Sequence, residues 1–234
     1  MTAIFAHRGL HTTARENTIS AFHAARDCGV EGVELDVRRT SDGQLVVHHD
    51  PSAGDLDIAA TSKASLPSYI PTLRESLDAL VGLTVNVELK SLRQSLEPTG
   101  DDVMAFVHEV VSLVRDTGSA QSVIFSSFDL VTCEELKRCA PEIPVGWLLW
   151  LEDLRQAIPL AHERGFDAVN PSFRLTNRES VDLAQSLGLE VNVWTVNAQT
   201  DILAMAALGV DRIITDDPVL AISLVDSTPS ATGR

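Results

Sequence analysis

Gly32-Val33-Glu34-Leu35-Asp36-Val37 is a short, β-rich apolar run broken by two acids. Side chains two apart on a strand point to the same face, so Glu34 and Asp36 share one. Thr84–Leu89 is a second run of this kind, with Glu88 and Lys90 again two apart. Working outward, six more runs follow the pattern: Ala3–Ala6, Ser122–Phe125, Val145–Leu149, Ala168–Asn170, Glu190–Trp194 and Arg212–Ile214, with Leu45–His48 as an extra short strand. Helix-length amphipathic segments follow nearly every one, the alternation expected of parallel strands joined by crossover helices. Eight such strands suggest closure into an α/β (β/α)8 TIM barrel, although six to eight could also form an open doubly wound sheet. The glycine fingerprint of a dinucleotide fold is missing after the first strand, where His7-Arg8-Gly9 stands instead, so the barrel is preferred.

The remaining features fit one catalytic domain over residues 1–225. The length of 234 residues matches the roughly 250 of a complete barrel. Asn17 or Thr18 can cap the first helix, and Gly29, Gly165, Gly188 and Gly209 close others ahead of the next strand. Asp50–Pro71 has neither helical nor strand periodicity and is expected to be a long loop near a site. Asp226–Arg234 is a polar tail, expected to be disordered. A net charge of −15 argues against nucleic acid as a partner, because such binding rests on clustered Lys and Arg. The start, MTAIFAHRGL, has no signal-peptide pattern and no apolar run approaches the ~20 residues that span a bilayer, so a cytoplasmic protein without stable membrane association is expected. Cys28, Cys133 and Cys139 are odd in number and lack C-x-x-C spacing, which suggests neither disulfides nor zinc.

In a barrel, the C-terminal strand ends carry the chemistry. Here they hold His7 and Arg8, Glu34 and Asp36, His49 and Asp50, Glu88 and Lys90, Ser126 and Ser127, Trp194, and Thr215 and Asp216. A single acid at such a place can simply pair with Lys90 or Arg8. Three together repel one another unless a cation sits between them, and oxygen ligands favour Mg²⁺ or Ca²⁺. His7 and His49 face the same mouth and suit a general acid/base pair, with Arg8 and Lys90 as phosphate donors. Trp194 fits core packing or a ring facing the substrate. His48 should point away from His49, His11, His23, His108 and His162 receive no role, and the serines lack a nucleophile-elbow setting.

These same residues carry a resemblance to the glycerophosphodiester phosphodiesterases, barrels of the phospholipase-C-like phosphodiesterase type. The motifs H-R-G (His7–Gly9), E-N-T-x-x-A-F (Glu16–Phe22), G-x-E-L-D-V-x-x-T-x-D-G (Gly32–Gly43) and V-V-x-H-D (Val46–Asp50) occur in order. Ile70–Leu73, Asn86–Lys90, Ser127-Phe128, Trp194–Asn197 and Gly209–Asp216 add weaker matches, so the likeness runs from Ile4 to about Pro218. It implies Glu34, Asp36 and Glu88 as ligands of a divalent cation, His7 and His49 as the catalytic pair, and Arg8 with Lys90 on the phosphate. The implied reaction releases glycerol 3-phosphate and an alcohol from a small glycerophosphodiester, the glycerol 2-hydroxyl attacking phosphorus before water opens a cyclic intermediate. Arg15 stands where the family usually has proline, and the segment after Asp50 lacks a common Arg-Thr-Thr element, which bears on substrate choice. Two other readings are a phospholipase D-like or phosphoinositide-cleaving relative, for which Leu148–Leu151 and its neighbouring tryptophans form an apolar cluster, and a binding barrel that has lost its chemistry.

Overall fold

The computed structural model describes residues 2–12, 14–91 and 100–227, the side chains of 100–102 excepted. The chain runs β1 (Ala3–His7), α1 (Ile19–Cys28), β2 (Gly32–Arg39), β3 (Leu45–Val47), β4 (Ser52–Ala53), β5 (Leu56–Asp57), α2 (Leu73–Ala79), β6 (Thr84–Leu89) and α3 (Gly100–Asp116). It continues through β7 (Val123–Ser127), α4 (Leu130–Cys139), β8 (Val145–Leu149), α5 (Leu154–Glu163), β9 (Ala168–Pro171), α6 (Arg178–Ser186), β10 (Glu190–Val193), α7 (Gln199–Leu208), β11 (Arg212–Thr215) and α8 (Pro218–Asp226). Parallel pairing passes from β1 through β11, β10, β9, β8, β7 and β6 to β2, and β2 pairs back to β1 with His7 opposite Glu34. Eight parallel strands thus close on themselves, which removes the open-sheet alternative. Strand β3 adds antiparallel to β2, Val47 opposite Val37.

Alternation along the strands makes two layers. Val33, Leu35 and Val37 of β2 and Val85, Val87 and Leu89 of β6 join the apolar shell with helix residues such as Phe22, Leu77 and Phe106. The residues between them, Glu34, Asp36, Asn86 and Glu88, are buried polar groups. Asparagines continue this inner layer on the far side, where Asn192 Nδ2 donates to Asn170 Oδ1 at 3.0 Å. A buried polar layer of this kind holds together only where partners or ligands satisfy it.

Gly29, Gly165, Gly188 and Gly209 all take the left-handed conformation, φ +73° to +86°, and so end α1, α5, α6 and α7 as expected. Thr18, rather than Asn17, caps α1 by accepting from the Ala21 N–H. The segment 50–71 differs from a plain loop. It contains the β4–β5 hairpin and a 3-10 turn at Lys63–Ser65, and its Ala53, Ile58, Leu66 and Ile70 pack with Val46 into a small core of their own. Helix α8 includes Asp226, and residues 228–234 of the expected tail lie outside the described residues. The three cysteines are free thiols. Among the described residues, no helix is long and apolar enough to cross a membrane.

Candidate active site

The mouth is built first by an unusual turn. After β1 the backbone turns at Arg8 (φ +57°) and Gly9 (φ +82°), and a Cβ on Gly9 would stand 2.8 Å from the Ala21 carbonyl carbon. Positive φ is costly for a residue such as arginine and persists where surrounding contacts hold it. Those contacts are present: the Arg8 N–H donates to Glu34 Oε2 at 3.1 Å, its Nη1 to Glu16 Oε1 at 3.0 Å, and its Nε lies 3.3 Å from Asp36 Oδ2. Asn17 is the second such residue (φ +53°), and its Nδ2 donates to Asp36 Oδ2 at 2.7 Å.

Strands β2 and β6 bring the three acids together. One carboxylate oxygen from each of Glu34, Asp36 and Glu88 lies within 4.8 Å of the others, and all three side chains are buried. The Lys90 ammonium lies 2.9 Å from Asp36 Oδ1 and 2.5 Å from Glu88 Oε1. Burial, reinforced by the charges of Asp36 and Glu88, pushes the Glu34 carboxyl well above the ordinary range. Burial also pushes Glu88 up to about 7, against the pull of Lys90. Asp36 is equally buried, yet Lys90 and Arg8 beside it hold its carboxyl below the ordinary value. Without a further cation the cluster therefore favours protons on Glu34 and Glu88, and Glu34 Oε1 is buried without a hydrogen-bond partner. A buried carboxyl oxygen without a partner, beside two more acids, fits a hard divalent ion, which these residues could hold in place of protons.

Both histidines expected at the mouth are anchored through Nδ1. His7 Nδ1 lies 2.6 Å from Asp216 Oδ1, and its Nε2 lies 3.9 Å from Glu34 Oε2. His49 Nδ1 lies 2.8 Å from Asp50 Oδ1. A carboxylate at Nδ1 keeps the proton there and leaves Nε2 to take or give one. Burial lowers the His49 pKa from the ordinary imidazole value, against the pull of Asp36. His48 turns away and meets the Ser52 carbonyl at 3.2 Å. Ser126 and Ser127 are strand residues with no exposed surface, and Ser127 Oγ donates to the Leu89 carbonyl.

A cavity of about 590 Å³ opens over these groups, reached by His7, Arg8, Glu34, His49, Glu88 and Lys90. Trp194 also lines it, just past β10, with its Nε1 donating to the Asn170 carbonyl at 2.6 Å. All eight sequence-derived site residues therefore meet at one cavity or, for Asp36, directly beneath it. Others were missed. Asn17 and Glu16 are the direct partners of Asp36 and Arg8, and their signal was the E-N-T segment, where Asn17 was considered only as a cap. His11, given no role, has its Nε2 3.0 Å from Asp216 Oδ1. Asn197 donates to the other oxygen of Asp216 at 2.6 Å.

A closed eight-stranded parallel barrel with two cations, three acids and two histidines at the C-terminal mouth of its strands is an arrangement shared with the phosphoric diester hydrolases that this chain matches. More narrowly, residues 7–220 match the glycerophosphoryl diester phosphodiesterase family, and the chain belongs to it. A glycerophosphodiester phosphodiesterase of Caldanaerobacter subterraneus subsp. tengcongensis is 30% identical over 249 residues, covering 96% of this chain and 98% of its own. A solved glycerophosphodiester phosphodiesterase from Parabacteroides distasonis superposes with a TM-score of 0.87 at 27% identity, over 97% of both chains. A phosphodiesterase of Oleispira antarctica, solved in complex with the product sn-glycerol-3-phosphate, shares the fold with a TM-score of 0.83 at 23% identity, over 97% of this chain and 98% of its own.

Proposed function

We propose that this protein hydrolyses small glycerophosphodiesters to glycerol 3-phosphate and an alcohol, using a divalent cation, Mg²⁺ or Ca²⁺, held by Glu34, Asp36 and Glu88. The observation that carries the reading is the buried acid trio, with its orphaned Glu34 oxygen, lying beside two Asp-anchored histidines. When bound, the cation would neutralise phosphoryl charge and make the glycerol 2-hydroxyl more acidic.

The chain's own groups do the rest. Arg8 and Lys90 bind the phosphate oxygens, where charge grows as the bond to phosphorus forms. The Nε2 of one histidine takes the proton of the attacking 2-hydroxyl. The Nε2 of the other gives a proton to the departing alcohol oxygen as its bond to phosphorus breaks. In the second step the roles reverse: water loses a proton as it adds to phosphorus, and the 2-oxygen regains one as the ring opens. Trp194 presents its ring to the substrate, its N–H already engaged by the Asn170 carbonyl.

The test is release of glycerol 3-phosphate from glycerophosphocholine, glycerophosphoethanolamine and glycerophosphoglycerol, with Mg²⁺, with Ca²⁺ and with chelator. Turnover that needs metal and is lost in both His7→Ala and Glu88→Ala supports the reading. No release by folded, metal-loaded protein removes it.

A further inference from the structure

The cavity has two unlike halves. The half next to β1, β2 and β6 carries the charged groups described above. The other half, built by segments that follow or end β7 to β10, is formed by Phe128, Leu148, Trp150, Leu151, Phe173 and Leu175. Trp194 knits this side together: its ring meets Trp150 at 5.3 Å with a 41° tilt and Phe128 edge-on at 5.3 Å. With the Trp194 N–H occupied, what that ring offers a ligand is apolar.

Two residues of the wall are unusually open. Trp150 is 57% and Leu151 81% exposed, and because they adjoin each other and the apolar lining they extend it as a contiguous patch and are not scattered single residues. Their backbone is fixed, because Glu152 Oε2 accepts from the N–H of both, at 2.6 and 2.9 Å. The charge on this half also selects among ligands. Among the described residues that line this half the charged one is Arg174, which stacks on Phe173 at 5.3 Å, and the Glu152 carboxylate at its rim is turned onto the Trp150 and Leu151 N–H groups. An ammonium headgroup would face a guanidinium on one of the rings it would need, with the nearby Glu152 carboxylate already engaged by two backbone N–H groups. A hydrocarbon meets no such objection.

We infer that this wall is a subsite for a single hydrocarbon chain carried by the diester, running from the phosphate out across Trp194 and Trp150 to Leu151; the inference rests on the hydrolytic function proposed above. The chain can hang from the alcohol or from the glycerol, and the experiment separates the two.

Binding is measured by calorimetry with Mg²⁺ on His7→Ala protein, so that affinity is read without turnover, and hydrolysis is measured on the unaltered protein. One ligand set comprises the glycerophosphodiesters of ethanol, butanol, hexanol and octanol. The other comprises glycerophosphocholines bearing acyl chains of the same lengths on the glycerol, all as monomers in solution. Affinity should rise roughly two- to fourfold per added methylene in one set, identifying which side carries the chain. Adding Trp150→Ala or Leu151→Ser should flatten that slope. Chain-dependent binding with no hydrolysis of any member would keep the subsite and overturn the hydrolytic function. Hydrolysis or binding without chain dependence, or a slope that survives both substitutions, would overturn the subsite. Sedimentation with uncharged phosphatidylcholine vesicles, abolished by Trp150→Ala, would also overturn it by assigning the rim to a membrane surface.

Discussion

The Nδ1 of His7, at the end of β1, lies 2.6 Å from Oδ1 of Asp216, just past β11, across the seam that closes the barrel. Asp216 is itself clamped: Asn197 Nδ2 donates to its Oδ2 at 2.6 Å, while Asn197 Oδ1 accepts from the Asp216 N–H at 2.9 Å. Partial burial would raise the Asp216 pKa, but hydrogen bonds from His7, His11 and Asn197 hold it well below the usual carboxylate range. An ionised Asp216 fixes the His7 ring and tautomer. Asp216→Asn should therefore lower kcat roughly 10- to 100-fold while KM changes little. Unchanged turnover from folded protein would show that His7 does not depend on this contact.

The metal-free protein should lose stability as pH rises. The folded-state pKa of Glu88 is pushed to about 7 from an ordinary 4.5, and that of Glu34 also lies well above the ordinary value. A group whose folded pKa is raised contributes its stability below the unfolded pKa and loses it as pH climbs through the folded one. In chelator, Tm should fall between about pH 5 and pH 8. Added Mg²⁺ or Ca²⁺ should restore more stability at pH 8 than at pH 5, because ions bind the deprotonated oxygens. The lowered His49 pKa acts in the opposite sense near neutrality, so the comparison is with Glu88→Gln, in which the fall should shrink. Parallel curves for the two proteins would remove Glu88 from the account.

Much of this site was legible because strand periodicity is local. Glu34 with Asp36, and Glu88 with Lys90, need only the two-residue repeat of a strand to share a face. The count of eight strands followed from eight apolar runs with helices between and suggested closure, but an open sheet shares that count, and the β1–β2 pairing is what decides for the barrel. Less legible were contacts that exist only after closure. Nothing local joins the turn holding His11 to Asp216, 205 residues away, or tells that Asp216 serves two histidines. The small core beneath 50–71 was hidden for a related reason: Ala53, Ile58, Leu66 and Ile70 are irregularly spaced, and they form a group only when folded against Val46.

Lys90 should matter for stability as much as for phosphate. Its ammonium is buried between Asp36 and Glu88, and those charges raise its pKa despite the opposing effect of burial. Lys90→Met would strand two buried carboxylates, a loss of about 3–5 kcal/mol for a buried pair broken on one side. Urea unfolding in chelator should show that loss, and saturating divalent ion should recover part of it by binding the folded state. A variant as stable as the parent in chelator would mean that the acids share protons instead of relying on Lys90.

Asn17 and Thr18 are adjacent, and each could cap α1, yet they have separate duties. Thr18 accepts the Ala21 N–H, and replacing such a cap by alanine costs about 1 kcal/mol. Asn17 instead turns its amide to Asp36, donating to Oδ2, and its N–H bonds the Arg8 carbonyl, so it ties an acid of the cluster to the strained turn after β1. Thr18→Ala should therefore lower Tm with little change in the divalent-ion affinity of the folded protein. Asn17→Ala should weaken that affinity roughly 10-fold, as loss of a partner that orients a ligand does. Asn17→Asp should be worse still, since it sets a second anion against Asp36 where a donor now stands. Calorimetric titration of Mg²⁺ or Ca²⁺ into the three variants distinguishes the roles. If Asn17→Ala and Thr18→Ala lower Tm alike and leave ion affinity untouched, Asn17 is part of the helix entry alone, and Asp36 is oriented by Lys90 and Arg8 without it.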